Sequence, residues 1–177
     1  GHFRSKEEIL FAIFDRTMAL YEARLREIRR GEGGPAEQLR RVVQHHVRAV
    51  IAERSFLTVF FGEEANLPRE LRRAITRRKA RYDRSVEAIA RRGVRQGLFV
   101  TDSPRLTVFA LLGMSNWVHK WYDPRGAWSA ETVADALVTF AERGYLRTPR
   151  RRRWEIDARL DRVERDLRAI RPLLRTR

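Results

Sequence analysis

Ser55-Phe56-Leu57-Thr58-Val59-Phe60-Phe61 is the stretch that decides the fold class. Aromatic and β-branched residues dominate it, so propensity alone reads it as a strand. A strand needs a neighbour to pair its backbone N–H and C=O groups. No other segment of the chain offers one. The seven residues therefore read as a short buried helix, and the whole chain as all-α.

Working outward, both flanks carry helical spacing. On the N-terminal side, Leu39, Val42, Val43, His46, Val47, Val50 and Ile51 make a one-sided stripe over Ala36 to Glu53. Pro35 is placed to open that helix after the breaker Gly31-Glu32-Gly33-Gly34. Before it, Ile9, Leu10, Ile13, Phe14, Met18, Tyr21, Leu25 and Ile28 predict a helix from Lys6 to about Arg30. Ser5 can cap it, and Glu8, three residues on, completes a capping box. On the C-terminal side, Gly62 to Leu67 reads as a loop. Pro68 to about Gln96 is the longest predicted helix, with the stripe Leu71, Ile75, Arg78, Tyr82, Val86 and Ile89, closed by Gly97.

Asp102 or Ser103, with Pro104, opens the next helix. From Leu106 to Tyr122 its apolar residues lie nearly all round, so it is expected to be central or to sit in a subunit interface. Ser129 starts another, through Val133, Leu137, Phe140, Ala141 and Tyr145. After Gly144 the character changes. Arg147 to Arg153 is a basic linker, and Trp154 to Arg171 carries Ile156, Leu160, Val163, Leu167 and Ile170 at heptad spacing. A helix this short needs a partner, either its own copy or the body. The expected organisation is a remnant over 1–5, a helical body over 6–146, and a linker with an amphipathic helix over 147–177.

Composition narrows the function. Lys+Arg number 38 against Asp+Glu 23, a formal charge of +15, which suggests a polyanionic partner. The arginines are spread over every helix and Lys occurs only at positions 6, 79 and 120, so an Arg-rich composition is the competing explanation. With no Cys there is no disulfide framework or thiolate metal site. No apolar run approaches the length of a membrane span, and a soluble cytoplasmic protein is expected. Neither Glu-x-x-His, His-Glu-x-x-His, Gly-x-Ser-x-Gly nor a phosphate-cradling glycine loop occurs, so no enzyme, metal or cofactor is expected. His46, on an apolar stripe, reads as a core histidine. Arg78, on an inward face, needs an anionic partner. Glu63, Glu64 or a ligand phosphate could supply it.

The order Gly1-His2-Phe3-Arg4-Ser5-Lys6-Glu7-Glu8-Ile9-Leu10 resembles the junction between DNA-reading head and ligand-binding body in TetR-family transcriptional regulators. The resemblance extends over Gly1 to Leu146. It implies that the chain begins just after the recognition helix, without the helix-turn-helix head. A helix N-terminus with Ser5 and Lys6 is a ready phosphate site. The family resemblance adds His2 to these as a DNA-backbone contact, of the kind that positions a protein without reading bases. Asn116-Trp117-Val118-His119-Lys120-Trp121-Tyr122-Asp123-Pro124-Arg125-Gly126, with Ser129, is similar to the subgroup whose effectors are acyl-coenzyme A thioesters. It implies a repressor of lipid catabolism released from double-stranded operator DNA by its effector. Phe60, Phe61, Arg78, Tyr82, Asn116, Trp117 and Trp121 are the expected effector contacts. Family members are homodimers through their last two body helices, which points to Leu112, Gly113, Leu137 and Phe140 as dimer contacts. Another apolar effector, a drug or free fatty acid, is the alternative within this scaffold. A basic helical interaction module is the alternative outside it.

Overall fold

The computed structural model describes residues 5–147, 160–165 and 167. It divides into two units, Gly1–Leu146 and Arg147–Arg177. The first is all-α: α1 (Lys6–Arg30), α2 (Pro35–Ala52), α3 (Arg54–Glu63), α4 (Arg69–Arg95), α5 (Pro104–Trp121) and α6 (Ala130–Tyr145), with a short 3-10 turn at Glu64–Asn66. The stretch from Ser55 to Phe61 is helical, inside α3. Among the described residues the one β-type contact is an isolated bridge between Phe99 and Leu146.

Local chemistry sets the ends. The Ser5 hydroxyl accepts from the Glu8 amide at 3.2 Å and starts α1. Ser103 and Ser129 do the same for α5 and α6, through the amides of Leu106 and Thr132. Gly97, at φ +69°, turns the chain out of α4 in a conformation that favours glycine. Gly93 has a different purpose. A Cβ there would lie 2.2 Å from the Phe99 ring, so the missing side chain is what lets Phe99 pack against α4. Phe99 then meets Tyr145 edge to face at 5.0 Å and ties the end of α4 to the end of α6.

The centre of the unit is α2, which touches all five other α-helices. Leu39, Val42, Val43, Val47 and Val50 are all but completely buried along it. Each such side chain contributes about 1.5–3 kcal/mol relative to its exposed state. The all-round apolarity of α5 therefore does not make it the central helix. One side of α5 (Val108, Leu111, Ser115 and Val118) is buried in the core. Another leaves Leu106 67%, Trp117 62% and Trp121 43% exposed. That face has no partner within the unit.

In the second unit, residues 160–165 and 167 are helical, with Leu160, Val163 and Leu167 exposed. Ile156, Ile170 and nearly all of the basic linker lie outside the described residues, as does His2.

Candidate functional site

A cavity of about 350 Å³ opens between α1, α2, α3, α4 and α5. Its walls are mostly aromatic and aliphatic. Phe14 and Met18 face it from α1, Phe56, Phe60 and Phe61 from α3, and Phe109 and Leu112 from α5. Phe14 and Phe60 stack at 5.0 Å with their planes 9° apart, so α1 and α3 share one rigid wall. The volume is at the small end of the roughly 300–1,000 Å³ spanned by small-molecule sites.

A few polar groups interrupt the apolar lining. His46, on α2, is bound through Nε2 to the Asn116 side chain on α5 at 2.9 Å. Burial lowers its pKa to about 4, against the smaller upward effect of the Asn116 hydrogen bond. The ring is neutral at physiological pH. Its Nδ1 has no partner among the described residues, and neither has the hydroxyl of Tyr21 beside it. Burial raises the pKa of the Tyr21 and Tyr82 phenols, so both stay protonated. Lys79 completes the wall. Its Nζ lies 2.7 Å from each Glu64 oxygen and sits over the Phe60 and Phe61 rings. Asp83, half-buried on the same helix, has its pKa raised by that burial.

The expected effector contacts divide. Phe60, Phe61, Tyr82 and Asn116 line the cavity. Arg78 does not. It is paired with Glu22, Nη2 to Oε2 at 3.0 Å, and with Asp15, both on α1. Neither Glu63 nor Glu64 pairs with it: α1 lies alongside α4 and supplies two carboxylates of its own. Trp117 and Trp121 also stand outside. Phe109, Leu112, Gly113 and Asn116 form the cavity face of α5. At about 100° per residue, Trp117 and Trp121 fall a quarter-turn or more round the helix from the centre of that face. Thr17, Met18, Tyr21, His46, Lys79 and Asp83 were not singled out as ligand contacts by sequence. They sit in ordinary amphipathic stripes, and only the meeting of five helices marks them.

Of the expected dimer contacts, Phe140 is outward, 69% exposed, and Leu137 is half-buried against the core. Leu112 is buried within the protomer and belongs to the cavity wall, as does exposed Gly113. The two line the cavity because they share the α5 face of Asn116. At the start of α1, Ser5 spends its hydroxyl on capping, and Lys6 pairs with Glu63 at 3.2 Å on the surface.

Residues 32–145 match the family model "Tetracyclin repressor-like, C-terminal domain". Solved structures agree. The chain is 33% identical to the TetR family transcriptional regulator PfmR from Thermus thermophilus, with a TM-score of 0.73, covering 81% of this chain and 78% of that one. It is 30% identical to a TetR/AcrR family regulator from Thermobifida fusca, with a TM-score of 0.72, covering 82% and 77%. It is 31% identical to AibR, solved in complex with isovaleryl coenzyme A and operator DNA, with a TM-score of 0.68, covering 78% and 76%. No curated protein matches the chain in sequence.

Proposed function

The chain belongs to the TetR family of transcriptional regulators, and from that premise we propose that it is the effector-binding and dimerising body of a ligand-responsive repressor whose effector is an acyl-coenzyme A. The cavity carries this reading: an apolar space between five helices, with a few fixed polar groups, built partly from α1. The likeness to AibR, which was solved with isovaleryl coenzyme A and operator DNA, supports the choice of effector. The cavity has room for roughly ten non-hydrogen atoms, at about 30 Å³ apiece by the measure of liquid water. That suits an acyl chain of up to about eight carbons, with the coenzyme A moiety left outside.

The proposed mechanism runs through α1. Its inner face packs α1 onto the body and also lines the cavity. An occupant that fits better when α1 is tilted shifts the population toward that tilt. The N-terminal end, at Ser5 and Lys6, would carry the motion to a DNA-reading head. Two heads moved out of register with one turn of DNA release the operator. Dimerisation follows from the unpartnered apolar face of α5 and α6, where Leu106, Trp117, Trp121 and Phe140 are exposed.

One observation favours the second reading, a charge-driven interaction module. Arg69, Arg72, Arg73 and Arg77 line a single surface depression on α4, and none has a carboxylate partner among the described residues. A thermal-shift series separates the two readings. An acyl-coenzyme A at a hundred times its Kd adds about 2.7 kcal/mol, which is about 5–10 °C for a domain of this size. If no acyl-coenzyme A raises Tm while double-stranded DNA of unrelated sequence does, with steep salt dependence, the charge-driven reading replaces this one.

A further inference from the structure

Resting on the effector reading above, we infer that the cavity selects for charge as well as for apolarity: it admits an acyl group in uncharged form, as a thioester, ester or amide, and rejects the free carboxylate of the same chain.

The charges around the cavity lead there. Lys79 is the one cation among the lining residues. Its ammonium is held by both oxygens of Glu64 at 2.7 Å and is further covered by the Phe60 and Phe61 rings at 5.1 and 5.4 Å. An occupant carboxylate would have to displace Glu64 and leave that half-buried carboxylate unpaired. The other ionisable wall residue of fixed sign is Asp83, an acid. A second carboxylate beside it meets like-charge repulsion. His46 offers no compensation, because its ring stays neutral well below physiological pH. Arg78 is held by Asp15 and Glu22 and does not line the cavity. Arg84 and Arg105, the other cations that act on Asp83, do not line the cavity, so among the described residues no uncommitted positive charge belongs to its wall.

Uncharged hydrogen-bonding capacity does remain. The Tyr21 hydroxyl and His46 Nδ1 both belong to lining residues, and both lack partners among the described residues. With Nε2 donating to the Asn116 oxygen, Nδ1 is left as an acceptor and the phenol as a donor. A buried polar atom without a partner is costly, so an occupant that supplies one gains affinity. Both atoms are fully buried, so a carbonyl reaches the Tyr21 hydroxyl, or an amide hydrogen His46 Nδ1, only as the wall shifts to expose them. The same chain as a carboxylate brings only acceptors and a charge.

Octanamide and octanoate test this cleanly, because they have the same number of non-hydrogen atoms and differ in charge. Titration calorimetry at pH 7.5 on the full chain should show octanamide binding at least about tenfold tighter than octanoate. Glu64→Gln frees the Lys79 ammonium, and Asp83→Asn removes the repelling acid. Glu64→Gln, at a residue outside the lining, should leave octanamide affinity within about threefold of the native chain, and unchanged helix content and Tm report that Asp83→Asn folds. Each should raise octanoate affinity about tenfold. Equal binding of the two probes by the native chain overturns the charge selection while leaving the effector reading intact. Failure of either folded variant to gain octanoate affinity also overturns it. If neither probe nor any acyl-coenzyme A binds, the effector reading fails and takes this inference with it.

Discussion

Acid should destabilise the body through one residue, His46. Its ring lies in the core between α2 and α5, and burial holds its pKa at about 4 against 6.5 for a free histidine. Between those two values the unfolded chain binds a proton at this position and the folded chain does not. Unfolding free energy therefore rises with pH through that window and falls as the pH is lowered from 6.5 toward 4. Two and a half pH units at about 1.4 kcal/mol each give a loss of about 3.5 kcal/mol from this residue alone once the pH is below both values. That is a large share of the total for a domain whose stability is about 5–15 kcal/mol. The assay is urea unfolding at half-unit steps from pH 7.5 to 4.5, on the native chain and on His46→Gln. Glutamine keeps an amide within reach of Asn116 and cannot titrate. The native profile should drop by about 2–3 kcal/mol more than the variant profile across the range. His45, whose pKa burial also lowers, is present in both chains and cancels in the difference. Parallel profiles would refute the reasoning, since they would mean that His46 is protonated in the fold at no cost.

Two further perturbations probe the fold and the assembly. Gly93→Ala places a methyl 2.2 Å from the Phe99 ring; the clash should outweigh the better helix propensity of Ala and cost about 1–3 kcal/mol in chemical denaturation, an effect that shrinks when Phe99 is made Ala in the same chain. Phe140→Asp puts a charge at the centre of the exposed α5–α6 face and should convert a dimer to a monomer by light scattering without changing helix content; a native chain that is already monomeric, or a variant that stays dimeric, counts against that face as the interface.

Most helix boundaries were legible because they carry their own chemistry; the end of α3, which has no capping side chain, was not, and Gly62 and Glu63 are helical where a loop was expected. Ser5, Ser103 and Ser129 cap, Pro35 and Pro104 open, and Gly97 closes. The stretch from Ser55 to Phe61 was settled by the lack of any strand to pair with, an argument about the whole chain. The site was only partly legible, and Arg78 shows why. Periodicity says that Arg78 faces inward and must be paired. Its partners, Asp15 and Glu22, stand 63 and 56 residues earlier, and nothing local identifies them. The position of Trp117 and Trp121 off the cavity wall was not legible for a related reason. Their spacing puts them near one stripe of α5, yet periodicity does not say which neighbour that stripe meets. Here it meets nothing inside the protomer, while the adjacent face, with Leu112 and Asn116, closes the cavity.

The position of the Arg78 pairs bears on how the proposed signal would travel. Asp15 and Glu22 bracket the middle of α1, and Arg78 fastens that middle to α4. The α1 side chains that line the cavity are Phe14, Thr17, Met18 and Tyr21, which lie within or next to the same span. An occupant therefore presses on α1 beside its anchor and not at its free end. From Asp15 to Lys6 the helix runs nine residues further, about 14 Å. A tilt of about 10° about the anchor would carry the N-terminal end by about 2 Å while scarcely moving the cavity wall. Lys6–Glu63, the surface pair at that end, lies between solvent-exposed groups and is worth at most about 1 kcal/mol. The firmer hold at that end is apolar, through Leu10 in the core and Phe11 packed against it. In the proposed mechanism Arg78 is the pivot, and a change in the cavity would reach a reading head by shifting the buried Leu10 against the core as α1 tilts.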